Sequence, residues 1–474
     1  MMADSEKQSK PENFNSTANL TSNAGFQSTL SISSKDLESE KAYNPFEHRQ
    51  LAHPNSTLGS IIHLLKACLG SGVLAMPAAF KNAGLAGGIV GTFLAGVVCT
   101  HTVHVLVKTS QSVCVDAKKP SMSFAETCGA VFSYGPARLR PWGNFVKLLI
   151  DYSLAVTYIS VLCVYVVFIG SSFKEVLDYY MPEYNISVQV YCALTLVPLV
   201  IICQIRNLKY LVPFSAIANV MIVVVFIVTM YYMFTDIPSI KDRQLVASVS
   251  TWPLFLSTVI FAMEGIGVVL PVENEMSHPQ KFLGCAGVLN TAMIVVITLY
   301  GVFGFFGYLK YGDAVKGSIT LNLPQDSFIA QGAKLLMAIV IYFSYSLQFY
   351  VPMEVIQRFL LKRKSTNYKN VIQVSIRTFI VTGTVCIAAA FPNLELVISL
   401  VGAIFFSTLG LFIPAVIEIV YRWDRGLGRF NHVLIKNIII IIVSIIALFS
   451  GSYVSIVGML GSIETERHLN STLT

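Results

Sequence analysis

The chain has 474 residues, 54% of them hydrophobic and 12% charged, about half the charge density of a soluble globular domain. That composition excludes an ordinary soluble enzyme and a disordered chain, and nine cysteines in such a length exclude a disulfide scaffold. The net charge of +7 is carried unevenly along the chain, as a membrane topology requires, and implies no nucleic-acid partner.

Residues 1–57 are rich in Ser, Asn, Lys and Glu, so they are expected to form a disordered cytosolic tail. They contain no apolar core of the kind a cleavable signal peptide needs. Within them Tyr43-Asn44-Pro45-Phe46 has the form of a tyrosine-plus-bulky-apolar sorting signal, placing Tyr43 and Phe46 where sorting adaptors or nutrient-signalling proteins would dock. Such short matches also arise by chance.

Apolar runs near twenty residues, long enough to cross about 30 Å of hydrocarbon, then follow one another with short connections. They fall at 58–79, 84–107, 145–170, 188–204, 211–234, 251–272, 284–308, 328–351, 371–391, 396–421 and 435–458. Eleven spans therefore fill a bundle over 58–460, leaving 461–474 as a short C-terminal tail. With the N-terminus in the cytosol, cytosolic segments hold 24 of the 33 basic residues, the bias that sets orientation. The odd count puts the C-terminus outside, so the sequons at Asn185 and Asn470 face the exterior or a lumen as candidate glycosylation sites. The cysteines sit mostly inside spans and read as small apolar filler.

Two spans are broken by glycine. In the first, Cys68-Leu69-Gly70-Ser71-Gly72 lets the backbone leave helical geometry cheaply. The half-helix that follows presents unpaired N–H groups and a positive dipole end, suited to a carboxylate. In the sixth, Phe261-Ala262-Met263-Glu264-Gly265-Ile266-Gly267 combines a second break with an ionisable residue, which at this depth faces a cavity or a partner. Carbonyls ending the half-helix before it favour positive charge. Backbone broken inside the hydrocarbon is tolerated only where it lines a buried or watery cavity, and paired breaks mark a midplane substrate site. The ligand so described is a zwitterion such as an amino acid, bound by Gly70, Ser71, Gly72, Phe261, Glu264, Gly265 and Gly267. Against this stand a plain packing role for the small residues and a structural-acceptor role for Glu264.

His63 lies seven residues before Gly70, two turns and about 10 Å toward the cytosol. Buried beside the path, an imidazole can carry a co-transported proton, and Glu264 is the other candidate; the simpler role for His63 is an interhelical hydrogen bond. His101 and His104, near the cytosolic end of the second span, read as such bonding groups. Lys66, one turn from His63, would supply fixed positive charge. Tyr152, Tyr158, Ser344 and Tyr345 on the third and eighth spans are candidate walls of the pathway, though each alone fits ordinary packing.

Three stretches together resemble a known family. Ile62-His63-Leu64-Leu65-Lys66 followed by Gly70-Ser71-Gly72, Pro77 and Lys81-Asn82-Ala83-Gly84 is the first. Glu264-Gly265-Ile266-Gly267-Val268-Val269-Leu270-Pro271-Val272-Glu273-Asn274 and Gln348-Phe349-Tyr350-Val351-Pro352-Met353-Glu354 are the others. They are similar to the eukaryotic proton-coupled amino acid transporters of the amino acid/auxin permease group over 58–460. The resemblance implies an all-α membrane fold of eleven helices, a LeuT-like five-plus-five inverted repeat with helices 1 and 6 broken. It implies symport of small neutral amino acids such as glycine, alanine and proline with protons, no other cofactor, and residence in the plasma membrane or on endosomes and lysosomes. His63 stands where that family's proton-linked histidine stands. The loop from Asp313 to Asp326 has no cysteine, where vertebrate members carry an extracellular disulfide; an invertebrate member fits this departure.

A nutrient sensor with little flux would use the same site and the long tail. A membrane enzyme would need a nucleophile, metal cluster or acid–base pair near one face, and the sequence displays none.

Overall fold

The computed structural model describes residues 43–49, 51, 54–184, 186–206, 211–263, 265–360 and 369–473. Two compact units divide the chain, Met1–Tyr43 and Asn44–Thr474; of the first only Tyr43 is described, and the second holds every described helix. Among the described residues no strand forms, and the single β-type pairing is an isolated bridge between Asn55 and Met276.

The first expected span is two helices, α1 (Thr57–Cys68) and α2 (Ser71–Ala83), bent by 51° at the glycine break. Ser56 caps α1 by accepting from the Gly59 N–H, satisfying one of the otherwise orphaned first-turn donors. A sharp turn at Gly84, with φ +82°, leads into α3 (Leu85–Asp116). A β-carbon there would strike the backbone of Leu245, so glycine is required both for the left-handed φ and for the close approach. A short, largely buried helix, α4 (Phe124–Ser133), opens with a reciprocal Ser123–Glu126 capping box. Next come α5 (Gly143–Tyr180), α6 (Val188–Leu194), α7 (Leu196–Cys203) and α8 (Val212–Phe234). The second broken span comprises α9 (Trp252–Ala262) and α10 (Ile266–Asn274), followed by α11 (Val288–Tyr311), α12 (Phe328–Leu360) and α13 (Lys369–Ala390). Then α14 (Leu394–Val401) runs through a wide π-type stretch, Gly402–Phe412, into α15 (Ile413–Arg422), and α16 (His432–Leu473) ends the chain.

Among the described residues nine helical segments are long and apolar enough to cross a membrane, and the bent α1–α2 pair makes a tenth. The expected fourth span is the exception to eleven. It is helical over Val188–Cys203 but short, roughly 24 Å at 1.5 Å per residue. It is also interrupted at Thr195, because Pro198 lacks an N–H and its ring would meet the carbonyl four residues back.

α16 stays helical through 461–473, where a tail was expected; no proline interrupts it there. At the other end, within the stretch expected to be a disordered tail, the Arg49 side chain is buried in an ion pair with Glu273. The core centres on α2, α9, α11 and the α5–α12 pair, with a second apolar cluster where α3, α4, α10 and α15 meet.

Candidate functional site

The site begins with two helix ends that stop for the same reason. Gly70 adopts φ −110°, ψ −138° and Gly265 adopts φ −164°, ψ −3°, non-helical conformations that glycine enters at little cost. Both helices begin at a glycine, which has no side chain to cap them, and their positive dipole ends suit an anionic ligand; in α10 the Val268 N–H is already bonded to Gly265 O at 2.9 Å.

The fold brings the two breaks against one another. A β-carbon on Gly72 would lie 2.7 Å from the Ala262 α-carbon and 3.0 Å from its carbonyl oxygen, and one on Gly265 would lie 3.3 Å from Cys68 Sγ. The Tyr300 hydroxyl, fully buried on α11, sits 2.6 Å from both Cys68 O and Ala262 O, the carbonyls that end α1 and α9. Cys68 O also accepts from the Gly70 N–H at 2.9 Å, and the carbonyl ends of the two half-helices carry the negative end of the helix dipole, which favours a cation beside them. Gly70 differs from Gly72: a β-carbon there would have no heavy atom within 4 Å. Gly70 therefore borders open space, while Gly72 is the contact that lets α2 touch α9.

Ser71 is buried at the start of α2, and Phe261 is buried with its ring edge-on to Phe406, 5.7 Å between centroids. Phe406 comes from the π-type stretch, an irregularity that recurs at functional sites. A cavity of about 30 Å³ lies beside the second break, lined by Thr102, Val103, Met263, Gly265, Phe406 and Gly410. It has room for water and not for an amino acid. Gly267 abuts Tyr158, whose hydroxyl occupies the place a β-carbon would take.

The remaining expected residues are placed apart. Tyr345 is fully buried, its hydroxyl 2.7 Å from Thr384 Oγ1, and Ser344 donates to Val340 O within its own helix at 2.8 Å. Tyr152 is 49% exposed. His63 is on the exposed face of α1, not buried as expected, because the buried stripe of that helix runs through Ser60, Leu64 and Cys68. Lys66 shares His63's face and donates to Ser215 Oγ on α8 at 3.0 Å. Two ionisable groups on one face are costly against lipid, which argues that the face lines water. Phe46 is half-buried with the Arg49 guanidinium 5.2 Å above its ring. Glu264 and Asn185 lie outside the described residues, and Asn470 falls within α16.

Ion pairs tie both ends of the broken helices. At the end of α2, Lys81 Nζ lies 2.7 Å from Glu395 Oε2 and Asn82 donates to Oε1 at 2.7 Å. At the far end of α10, Arg49 pairs with Glu273 at 3.1 Å, both nearly sealed from solvent, and Gln111 donates to the same carboxylate at 2.9 Å. Next to it Asn55 exchanges backbone hydrogen bonds with Glu275 and Ser277. Tyr300 and Arg49 escaped the sequence reading: one tyrosine in an unbroken apolar span and one arginine in a polar tail carry no local signal.

Broken apolar helices whose breaks meet, with the glycine-started α2 on one side and the carbonyl ends of α1 and α9 on the other, define a multi-pass transporter. Residues 53–457 match the family described as transmembrane amino acid transporter protein, and the chain belongs to that family. It is 40% identical over 414 residues to the Drosophila melanogaster proton-coupled amino acid transporter-like protein pathetic, covering 87% of each chain. It is 30% identical over 311 residues to the Saccharomyces cerevisiae vacuolar amino acid transporter 4, covering 64% of this chain and 40% of the yeast protein. Among solved structures, the crystal structure of MhsT in complex with L-phenylalanine aligns with a TM-score of 0.43 at 12% identity, covering 84% of this chain and 99% of that one.

Proposed function

We propose that the protein is a secondary active symporter that moves small neutral amino acids, of the glycine, alanine and proline type, together with protons. The observation that carries the reading is the junction of the two breaks at Tyr300, which sets carbonyl ends of α1 and α9 beside the uncapped start of α2. A zwitterion fits that polarity, with its carboxylate on the amides after Gly70 and its ammonium beside the carbonyl ends of α1 and α9. The contact between Gly72 and Ala262 favours a small side chain. Proton coupling rests on the Drosophila relative's name and on His63, whose exposed position beside Lys66 suits exchange with water; Glu264 is the second candidate. In this scheme the Lys81–Glu395 and Arg49–Glu273 pairs are the two ties that part alternately as the site opens to one side and then the other.

With the basic residues inside, and the short Val188–Cys203 segment crossing as the eleventh span, the α1 end of the bundle faces the cytosol and the α16 C-terminus faces the exterior or a lumen. The plasma membrane and the lysosome both fit that orientation. Uptake of labelled glycine, alanine and proline into proteoliposomes under an imposed pH gradient, without sodium, tests the reading. Acid on the outer side should drive accumulation. Sodium-dependent, pH-insensitive uptake would overturn the coupling, and binding without flux would make the protein a sensor.

A further inference from the structure

Away from the breaks, an open cleft runs between α3, α11, α15 and α16 at the end of the bundle where α3 finishes and α16 begins. It has two adjoining lobes of about 620 Å³ and 580 Å³ that share Val97, His101, His432 and Lys436. One lobe is apolar and faces outward through Ile435 and Ile439, which are 54% and 56% exposed. The other is basic. Lys108, Arg422 and Lys436 line it, and Arg429 stands at the mouth of the first, against a single carboxylate, Glu418.

That carboxylate is already engaged. Lys436 Nζ lies 2.7 Å from it, Asn437 Nδ2 2.9 Å and Arg422 Nε 3.5 Å. Among the described residues no acceptor lies within hydrogen-bonding or ion-pairing distance of the Lys108 ammonium or the Arg429 guanidinium. The guanidinium instead sits 5.4 Å above the ring of Phe430, which is 83% exposed, the placement of an aromatic at a membrane interface. Deeper in, Nε2 of His101 is sealed from solvent without a hydrogen-bond partner, although buried ring nitrogens ordinarily find one.

We propose that this cleft binds an anionic phospholipid of the cytosolic leaflet, one whose headgroup carries a phosphate monoester. Four cations against one satisfied anion leave an excess positive charge that a multiply charged headgroup complements. The isoleucine and valine walls open sideways to the hydrocarbon and would take an acyl chain, which a soluble phosphate could not cover. His101 itself lines both lobes. The assignment to the cytosolic leaflet rests on the orientation given above.

The test reads lipid binding directly, so it does not depend on transport. Full-length protein is placed in nanodiscs of phosphatidylcholine with a minor fraction of phosphatidylinositol bisphosphate, and co-retained lipid is counted by native mass spectrometry. Wild type should retain the phosphoinositide selectively. Lys108→Gln and Arg429→Gln should each weaken retention about fivefold, and the pair about thirtyfold, the usual contribution of basic groups at an anionic surface. Neither side chain ties two parts of the protein together, so the variants should fold. Equal retention by wild type and double variant overturns the proposal, as does equal retention of phosphatidylcholine. Binding of soluble inositol trisphosphate as tight as that of the lipid would make the ligand a free anion and also overturn it.

Discussion

Gly72→Ala is the sharpest perturbation of the junction between the breaks. The new methyl would begin 2.7 Å from Ala262 Cα, whereas ordinary contact begins near 3.4 Å, so α2 and α9 must part by about 0.7 Å. Both near atoms are backbone, and no side-chain rotation relieves the overlap. Overpacking of this kind costs about 1–3 kcal/mol. The same retreat stretches one of the two 2.6 Å contacts of the Tyr300 hydroxyl toward the limit of a hydrogen bond, adding about 0.5–1.5 kcal/mol. A combined loss near 2–4 kcal/mol should lower the midpoint of thermal unfolding in detergent. If about 2 kcal/mol of it falls on the substrate-bound state, apparent affinity drops roughly thirtyfold. Gly70→Ala is the control, because its methyl meets nothing within 4 Å. Its stability should stay within about 0.5 kcal/mol of wild type, and any loss of uptake then reports on the space beside the break. Proteoliposome uptake at matched protein content, with a thermal melt of each variant, measures both. Wild-type uptake and melting for Gly72→Ala would refute the junction as a tight, functional contact.

Tyr300→Phe should remove the donor shared by Cys68 and Ala262 and cost about 1–3 kcal/mol; unchanged uptake kinetics would show that the bridge is incidental. Arg49→Ala leaves the Glu273 carboxylate buried and unpaired, at a cost of about 3–5 kcal/mol. It should therefore hasten maleimide labelling of the buried Cys114 from the cytosolic side, and the apolar pair Arg49→Met with Glu273→Leu should slow it again; identical labelling in all three proteins would remove the tie from the mechanism. If His63 carries the proton, His63→Gln keeps a donor and an acceptor but does not titrate, so uptake should lose its stimulation by external acid; retained proton current would move the coupling to Glu264. An epitope on the C-terminus should be accessible only from outside or the lumen, and a cytosolic epitope would reverse the orientation.

The broken helices were legible in the sequence because their cause is local. Gly70 and Gly72, and then Gly265 and Gly267, interrupt apolar runs that would otherwise continue, and no environment rescues a helix from that at low cost. Ten of the spans were legible for the same reason, since length and hydropathy decide them residue by residue. At 188–203 local pattern was not enough, because Pro198 splits the helix at Thr195 and only the folded chain reveals its short length. It failed at His63, whose burial depends on which face of α1 its neighbours cover. Sequence by itself determined the class of protein and the two breaks. Tertiary structure alone decided that the breaks meet, that Tyr300 joins them, that Gly72 is a contact while Gly70 borders space, and that Arg49 reaches Glu273 across 224 positions. Those are long-range encounters, set by how whole helices pack, and no window of neighbouring residues contains the information.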